Sequence, residues 1–317
     1  MLYSTTTPQA KRATLRELLV PGTARQFPGA FNPLSARLIE QKGFDGVYIS
    51  GAVLANDLGL PDIGLTTLTE VATRAGQIAR MTDLPALVDA DTGFGEPMNV
   101  ARTVQELENA GLAGCHIEDQ INPKRCGHLD GKAVVDLDTA TKRIKAAADG
   151  RRDANFLIMA RTDIRATEAG DTGLDAAVDR AKALVDAGAD AIFPEAMGSV
   201  EEFAAICAAV DVPVLANMTE FGKSDLFTRA QLADAGVAMI IYPVTLLRIA
   251  LGAAERALDT LAADGTQSAA VPDMATRARL YDLVDYEAYN RFDTGVFNFQ
   301  VPGTPAPGPS TTGGTDG

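Results

Sequence analysis

Along the 317 residues, short uninterrupted apolar runs alternate with longer stretches in which apolar positions recur every three or four residues. The first pattern suits a strand buried on both faces, the second an amphipathic helix. Strands are predicted at 27–31, 47–50, 86–91, 114–119, 156–163, 191–195, 214–218 and 239–242, and helices at 11–19, 99–110, 174–187, 200–209, 227–235, 245–263 and 272–289. Three helices close on similar phrases, Asn109-Ala110-Gly111-Leu112-Ala113, Asp186-Ala187-Gly188-Ala189-Asp190 and Asp234-Ala235-Gly236-Val237-Ala238. In each, glycine suits the left-handed position after a helix, and the apolar residues beyond it open the next strand. Eight strands separated by helical segments are what an α/β fold of the (β/α)8 TIM type requires, although a doubly wound sheet produces the same rhythm. The expected organisation is an N-terminal polar tail and helix over 1–22, a barrel with extra C-terminal helices over 23–290, and a flexible tail over 291–317. The last stretch is rich in Pro, Gly, Ser and Thr and has too little apolar surface to fold.

A TIM barrel gathers its functional side chains at the C-terminal ends of its strands, and these predicted strands end in chemistry. Period-2 alternation over 86–91 puts Asp89 and Asp91 on one side of a strand, and the run 114–119 ends in Glu118-Asp119. Hard carboxylate oxygens at one rim suit Mg²⁺, with Mn²⁺ as the alternative, whereas singly such acids cap helices or form salt bridges. The second strand ends in Tyr48-Ile49-Ser50-Gly51-Ala52, read either as a ligand-contacting turn or as an ordinary strand-to-helix turn. The fifth ends in Arg161-Thr162-Asp163, a carboxylate clamp or a structural ion pair. The sixth gives Phe193-Pro194-Glu195, the seventh Asn217-Met218-Thr219-Glu220, and Arg248 follows the eighth. In the loop Lys124-Arg125-Cys126-Gly127-His128 two cations flank a thiol. They would lower its pKa and make it an acid or base near neutral pH, unless the loop is simply a solvated basic one.

Composition narrows the partners. A formal charge of −14 argues against nucleic acid and anionic membrane surfaces. Three cysteines without a CxxC pair, no cationic-then-apolar leader pattern and no apolar run of membrane-spanning length lead to an expectation of a reducing cytoplasm. Two histidines leave no room for a multi-histidine zinc site, and HExxH, Walker A and GxSxG patterns are absent. His116, inside an apolar run, is read as a satisfied core histidine, and Cys115 and Cys207 as buried thiols.

The phrases LVDADTGFG, HIEDQ and KRCGH, in this order and spacing, resemble the isocitrate lyase and phosphoenolpyruvate mutase superfamily, most closely its 2-methylisocitrate lyase branch. The resemblance runs from about Phe27 to about Tyr289. It implies a TIM-type barrel whose C-terminal helices are exchanged between subunits of a homotetramer. It further implies Asp89 and Asp91 holding Mg²⁺, directly or through water, with Glu118 supporting the metal shell. A tricarboxylate substrate would meet Ser50, Gly51, Ala52, Cys126, Gly127, Arg161, Glu195, Asn217, Met218, Thr219, Arg248 and Arg277. This chain reads SGA where that branch reads SGG, which adds a methyl group at Ala52.

The chemistry implied is retro-aldol cleavage of 2-methylisocitrate to pyruvate and succinate, with Cys126 protonating the succinate carbanion. His128 and Glu195 would tune that thiol, and Tyr48 is one possibility for the base that takes the hydroxyl proton. Isocitrate lyase activity, giving glyoxylate and succinate, is the first alternative. That branch tends to carry Trp where this chain has Phe193, a smaller ring that would leave room for the extra methyl. Oxaloacetate decarboxylase or another superfamily chemistry comes next. A non-catalytic scaffold comes last, because it predicts a broken site and every motif position is intact.

Overall fold

In a computed structural model of the chain, the structure describes residues 4–125, 131–167, 170–222 and 224–299. All eight expected strands form: β1 (Arg25–Pro28), β2 (Val47–Ile49), β3 (Ala86–Asp89), β4 (Gly114–Glu118), β5 (Leu157–Thr162), β6 (Ala191–Pro194), β7 (Leu215–Asn217) and β8 (Met239–Tyr242). The helices are α1 (Pro8–Leu18), α2 (Pro33–Gln41), α3 (Gly51–Asp57), α4 (Leu68–Ala79), α5 (Pro97–Asn109), α6 (Leu137–Gly150), α7 (Gly170–Asp186), α8 (Val200–Ala209), α9 (Arg229–Asp234), α10 (Thr245–Asp264), α11 (Arg277–Leu283) and α12 (Tyr286–Phe297). Gly111, Gly188 and Gly236 take the left-handed conformation that the three repeated phrases anticipate, at φ 88°, 108° and 92°.

Strands β2 to β6 pair in parallel in chain order, and β1-β8-β7 form a second parallel sheet. Two parallel bridges, Gly29 to Tyr48 and Ile192 to Val214, join the sheets at both edges and close the barrel. Alternation along each strand then sorts side chains into two cores. Val47, Ile49, Val88, Cys115, Ile117, Ile158, Ala160, Ile192 and Ile240 pack outward with the helices. Phe27, Tyr48, Leu87, Leu157, Met159, Phe193, Leu215, Met239 and Ile241 fill the interior, joined by Leu15 and Leu19 from α1 and the residue just past it. Burying each such leucine contributes about 1.5–3 kcal/mol. The N-terminal segment is therefore part of the barrel rather than an appendage. Residues 4–6, expected as free tail, are also fixed: Ser4 Oγ and the backbone N–H groups of Thr5 and Thr6 all donate to Asp83.

Some boundaries differ from expectation. β3 stops at Asp89, because Asp91 adopts φ 47° and has left the pleat. The predicted helix 272–289 is instead a 3₁₀ turn over Ser268–Asp273 and two helices, α11 and α12, broken at Asp285 with φ 54°. Residues 275–299 form a separate compact unit in which Tyr281 and Tyr286 stack at 4.6 Å. Its last helix runs to Phe297, past the expected limit at 290, and the tail from 300 lies outside the described residues. Among the described residues no helix is long and apolar enough to cross a membrane.

Candidate active site

The inward-facing column of each strand changes character on the way up: Leu87 gives way to Asp89, Met159 to Arg161, Phe193 to Glu195 and Leu215 to Asn217. Because the strands are parallel and in register, with Asp89 beside His116 and Glu118 beside Arg161, these polar ends meet at one rim. A pocket of about 270 Å³ opens there, and Tyr48, Ser50, Ala52, Asp89, Arg161, Glu195, Asn217, Thr219 and Arg248 all line it.

The acids are close-set. Gly51 opens α3 against them; a Cβ on it would lie 2.9 Å from Asp89 Oδ2 and 3.2 Å from Asp91 Oδ1, so only glycine allows this approach. Its N–H, expected to meet a substrate carboxylate, donates to Asp89 Oδ2 at 3.2 Å. Ser50 precedes α3 without capping it through its side chain, which leaves the hydroxyl on the pocket wall. Burial disfavours ionisation of Asp89, yet His116, Lys124 and Arg161 outweigh it and hold the carboxyl at about 2. For Asp91, burial and the Asp89 charge prevail over Lys124 and push the carboxyl up to about 6. Glu118 is 1 % exposed, neither of its oxygens accepts a hydrogen bond among the described residues, and burial raises its pKa well above the usual range.

This donor set fits a hard divalent cation. Five buried carboxylates (Asp89, Asp91, Glu118, Asp163 and Glu195) stand against the buried cations Lys124 and Arg161 and the Lys132 ammonium. Among the described residues no three His, Cys, Asp or Glu side chains converge on one point. An ion held by one or two carboxylates that keeps several waters needs no such cage.

Arg161 lies among Glu118, Asp163 and Glu195, and its guanidinium covers the Phe193 ring at 5.0 Å. Phe193 is thus fully buried beneath Arg161 and edge-on to His116 at 5.2 Å, not on the pocket wall, so it can shape the pocket only through Arg161. Met218 also turns away from the pocket, its sulfur accepting the Phe227 N–H at 3.3 Å. Arg248 pairs with Glu220 at 2.7 Å and donates to Thr219 Oγ1 at 3.2 Å. Arg277 opens α11 in the C-terminal unit. Cys126, Gly127 and His128 lie outside the described residues.

Two readings change. His116 is not an ordinary core histidine: it meets the Tyr48 hydroxyl at 2.8 Å, sits 3.7 Å from Asp89 Oδ1 and, among the described residues, leaves Nδ1 without a partner. Burial lowers its pKa to about 4, so it is neutral near pH 7. Burial and Asp89 raise the Tyr48 phenol well above its usual value. Lys124, read as a neighbour tuning the Cys126 thiol, is 3 % exposed and bound to Asp91 at 2.6 Å and to Asp62. Asp62 carried no signal in the sequence, and Lys132 and Asp163 very little.

The family model for phosphoenolpyruvate phosphomutase matches residues 15–262. The chain is 58% identical to the probable 2-methylisocitrate lyase 2 of Corynebacterium glutamicum, over 95% of this chain and 97% of that one. It is 47% identical to the 2-methylisocitrate lyase of Aeropyrum pernix, over 89% and 90% of the two chains. Among solved structures, oxaloacetate acetylhydrolase in complex with 3,3-difluorooxalacetate aligns with a TM-score of 0.85 at 34% identity, over 93% of this chain and 100% of the other. A phosphonopyruvate hydrolase complex with oxalate and Mg²⁺ aligns with a TM-score of 0.78 at 27% identity, over 93% and 99%. Barrel, acidic rim and full-length similarity agree, and the chain belongs to the phosphoenolpyruvate phosphomutase family.

Proposed function

We propose that the chain is a Mg²⁺-dependent carbon–carbon lyase that cleaves 2-methylisocitrate to pyruvate and succinate, the retro-aldol step of the methylcitrate cycle in propionate catabolism. The observation that carries this reading is the 58% identity to a probable 2-methylisocitrate lyase, spread over 95% of the chain. The pocket supports it chemically, because acids able to hold a divalent cation face groups able to hold carboxylates.

Asp89 and Asp91, backed by Glu118, would hold Mg²⁺, with Mn²⁺ as the alternative. When bound there, the ion lowers the pKa of the substrate hydroxyl and steadies the oxygen that becomes the pyruvate carbonyl. Arg161, Arg248, Asn217, Thr219 and Ser50 grip the remaining carboxylates. Loss of the hydroxyl proton breaks the C2–C3 bond and leaves negative charge on the succinate fragment, which these fixed donors stabilise without reorganising. Cys126 then protonates that carbon, with Gly127 beside the substrate and His128 and Glu195 tuning the thiol. Tyr48, whose phenol burial and Asp89 raise above its usual value, is one possibility for the base that takes the hydroxyl proton.

The assembly is read as a cytoplasmic homotetramer exchanging C-terminal helices. Two features support exchange: α10 has no buried residue and exposes Ile249, Leu251, Leu258 and Leu261, and an apolar groove runs past Leu38, Ile39, Phe44 and Leu246.

Purified protein supplied with Mg²⁺ and either 2-methylisocitrate or isocitrate is the direct test. Pyruvate from the methylated substrate, abolished by EDTA, is the expected result. Glyoxylate as the faster product would move the chain to the isocitrate branch.

A further inference from the structure

The carboxylate clamp depends on a residue that does not line the pocket. Of the three acids around Arg161, only Asp163 binds it bidentately: Oδ2 accepts from Nε at 2.9 Å and Oδ1 from Nη2 at 3.2 Å. Glu118 and Glu195 approach those same two nitrogens at 3.3 and 3.2 Å. Among the described residues, Nη1 is the nitrogen that none of the three acids takes. Asp163 is itself fixed. It is fully buried, its N–H donates to Asp119 Oδ1 at 3.0 Å, and Oδ1 accepts from Lys132 Nζ at 2.7 Å. With Phe193 under the flat of the guanidinium and Asp163 along one edge, both the tilt and the rotation of Arg161 are determined.

Charge completes the argument. An arginine paired only with an aspartate presents almost no net charge to an incoming anion, and a buried pair gains little by being isolated. Here Glu118 and Glu195 lie beside Arg161 as well, and Lys132, bound to Asp163, offsets part of that negative charge. We infer that Asp163 and Lys132 act as a positioning pair for Arg161, Asp163 fixing the guanidinium through Nε and Nη2 for a substrate carboxylate and Lys132 holding Asp163 in place while offsetting part of its charge. This rests on the reading of Arg161 as a carboxylate clamp.

The test uses the full-length protein with Mg²⁺ and succinate as the probe, measured by calorimetry, alongside kcat and KM for 2-methylisocitrate. Asp163→Asn should weaken succinate binding about 10-fold or more, and in an Arg161→Lys background it should add less than about 3-fold, because both changes act through one guanidinium. Lys132→Met should weaken binding about 3- to 5-fold and raise KM more than it lowers kcat. A folded Asp163→Asn protein that binds succinate like wild type, or losses that multiply in the double variant, overturns the inference; so does a wild type that does not bind succinate. If Asp163→Asn does not fold by circular dichroism, Lys132→Met decides, and wild-type affinity there overturns the inference equally. Succinate binding lost in the variants of a protein that cleaves no tricarboxylate would reject the lyase reading and leave the positioning role standing.

Discussion

Both ends of the barrel bury charge, and they treat it differently. At the N-terminal end, Arg12 is 4 % exposed and donates to Leu112 O, Glu108 O and Asp153 at 3.0, 2.6 and 2.9 Å. Glu108 accepts from the backbone N–H groups of Arg152 and Asp153 and from the Arg152 side chain. Lys11 donates to Ala79 O at 2.8 Å and to Thr82 O. At the C-terminal rim, among the described residues, Glu118 has two buried oxygens without a hydrogen bond and His116 Nδ1 has none, and Asp91 is pushed up to about 6. Lys11, Arg12 and Glu108 are as little exposed as Glu118 and Asp91, so exposure alone does not separate the two ends. The difference is whether the chain supplies the complementary groups itself, and an end that does not is built for a partner from outside.

The strongest way to break this comparison is to exchange a charge for a near-isostere at each end. Glu118→Gln should lower kcat about 10- to 100-fold, roughly 1.4–2.8 kcal/mol of transition-state stabilisation, while thermal unfolding shows equal or greater stability, because burial already disfavours the Glu118 charge. Lys11→Met should do the reverse. It leaves two buried carbonyls without a donor, which costs about 2–3 kcal/mol by urea unfolding, with kcat/KM within about 2-fold of wild type. Loss of activity without loss of stability at Lys11, or the opposite at Glu118, would remove the distinction.

Asp91→Asn sharpens it. A carboxyl raised to about 6 in the folded state, against about 3.9 unfolded, binds more protons folded than unfolded between those values. Its ionisation therefore takes stability away as pH rises from about 4 to 6. In EDTA the Asn variant should gain about 1–3 kcal/mol on wild type at neutral pH and almost nothing near pH 4. Added Mg²⁺ should narrow the gap, because it binds the wild-type acid rim and not the variant's as well. A difference that does not change with pH would mean the Asp89–Asp91 rim is not under electrostatic strain.

Much of this was legible in the sequence, for identifiable reasons. Strand positions follow from apolar runs long enough to be buried on both faces, and the rim acids from strands that end in them. The helices at 33–41 and 68–79 are not marked by apolar periodicity; their signal is polar, a capping box at each start, Asn32 with Ser35 and Thr67 with Glu70. The left-handed Asp91 was not visible, since period-2 alternation through 91 looks uninterrupted. The site residues that no local pattern marks, Asp62 and Lys132, are joined to the rest only by the fold. Asp62 meets Lys124 across 62 positions and Lys132 meets Asp163 across 31. Single-sequence reading sees neighbours in the chain, and these are neighbours only in the fold.

The smallest effect expected has the opposite sign in pH, which makes it the finest probe of the comparison. Asp83, near the N-terminal end, carries the same side chain as Asp91 but meets donors rather than acids. Burial works against its charge, and the Ser4 hydroxyl and the N–H groups of Thr6 and Thr5 outweigh it, holding the carboxyl well below the ordinary range. A depressed folded pKa means stability that is present above about pH 4 and lost as pH falls through the folded value. The site is largely solvent-accessible, so screening reduces the gain, and loss of its hydrogen bonds sets the scale. Asp83→Asn should cost about 1 kcal/mol at neutral pH, shrinking as the solution is acidified. The two aspartate-to-asparagine changes should thus produce difference curves against pH that slope in opposite directions, one from an end that lacks partners and one from an end that has them. Parallel curves would show that residue type, and not the completeness of the surroundings, governs both.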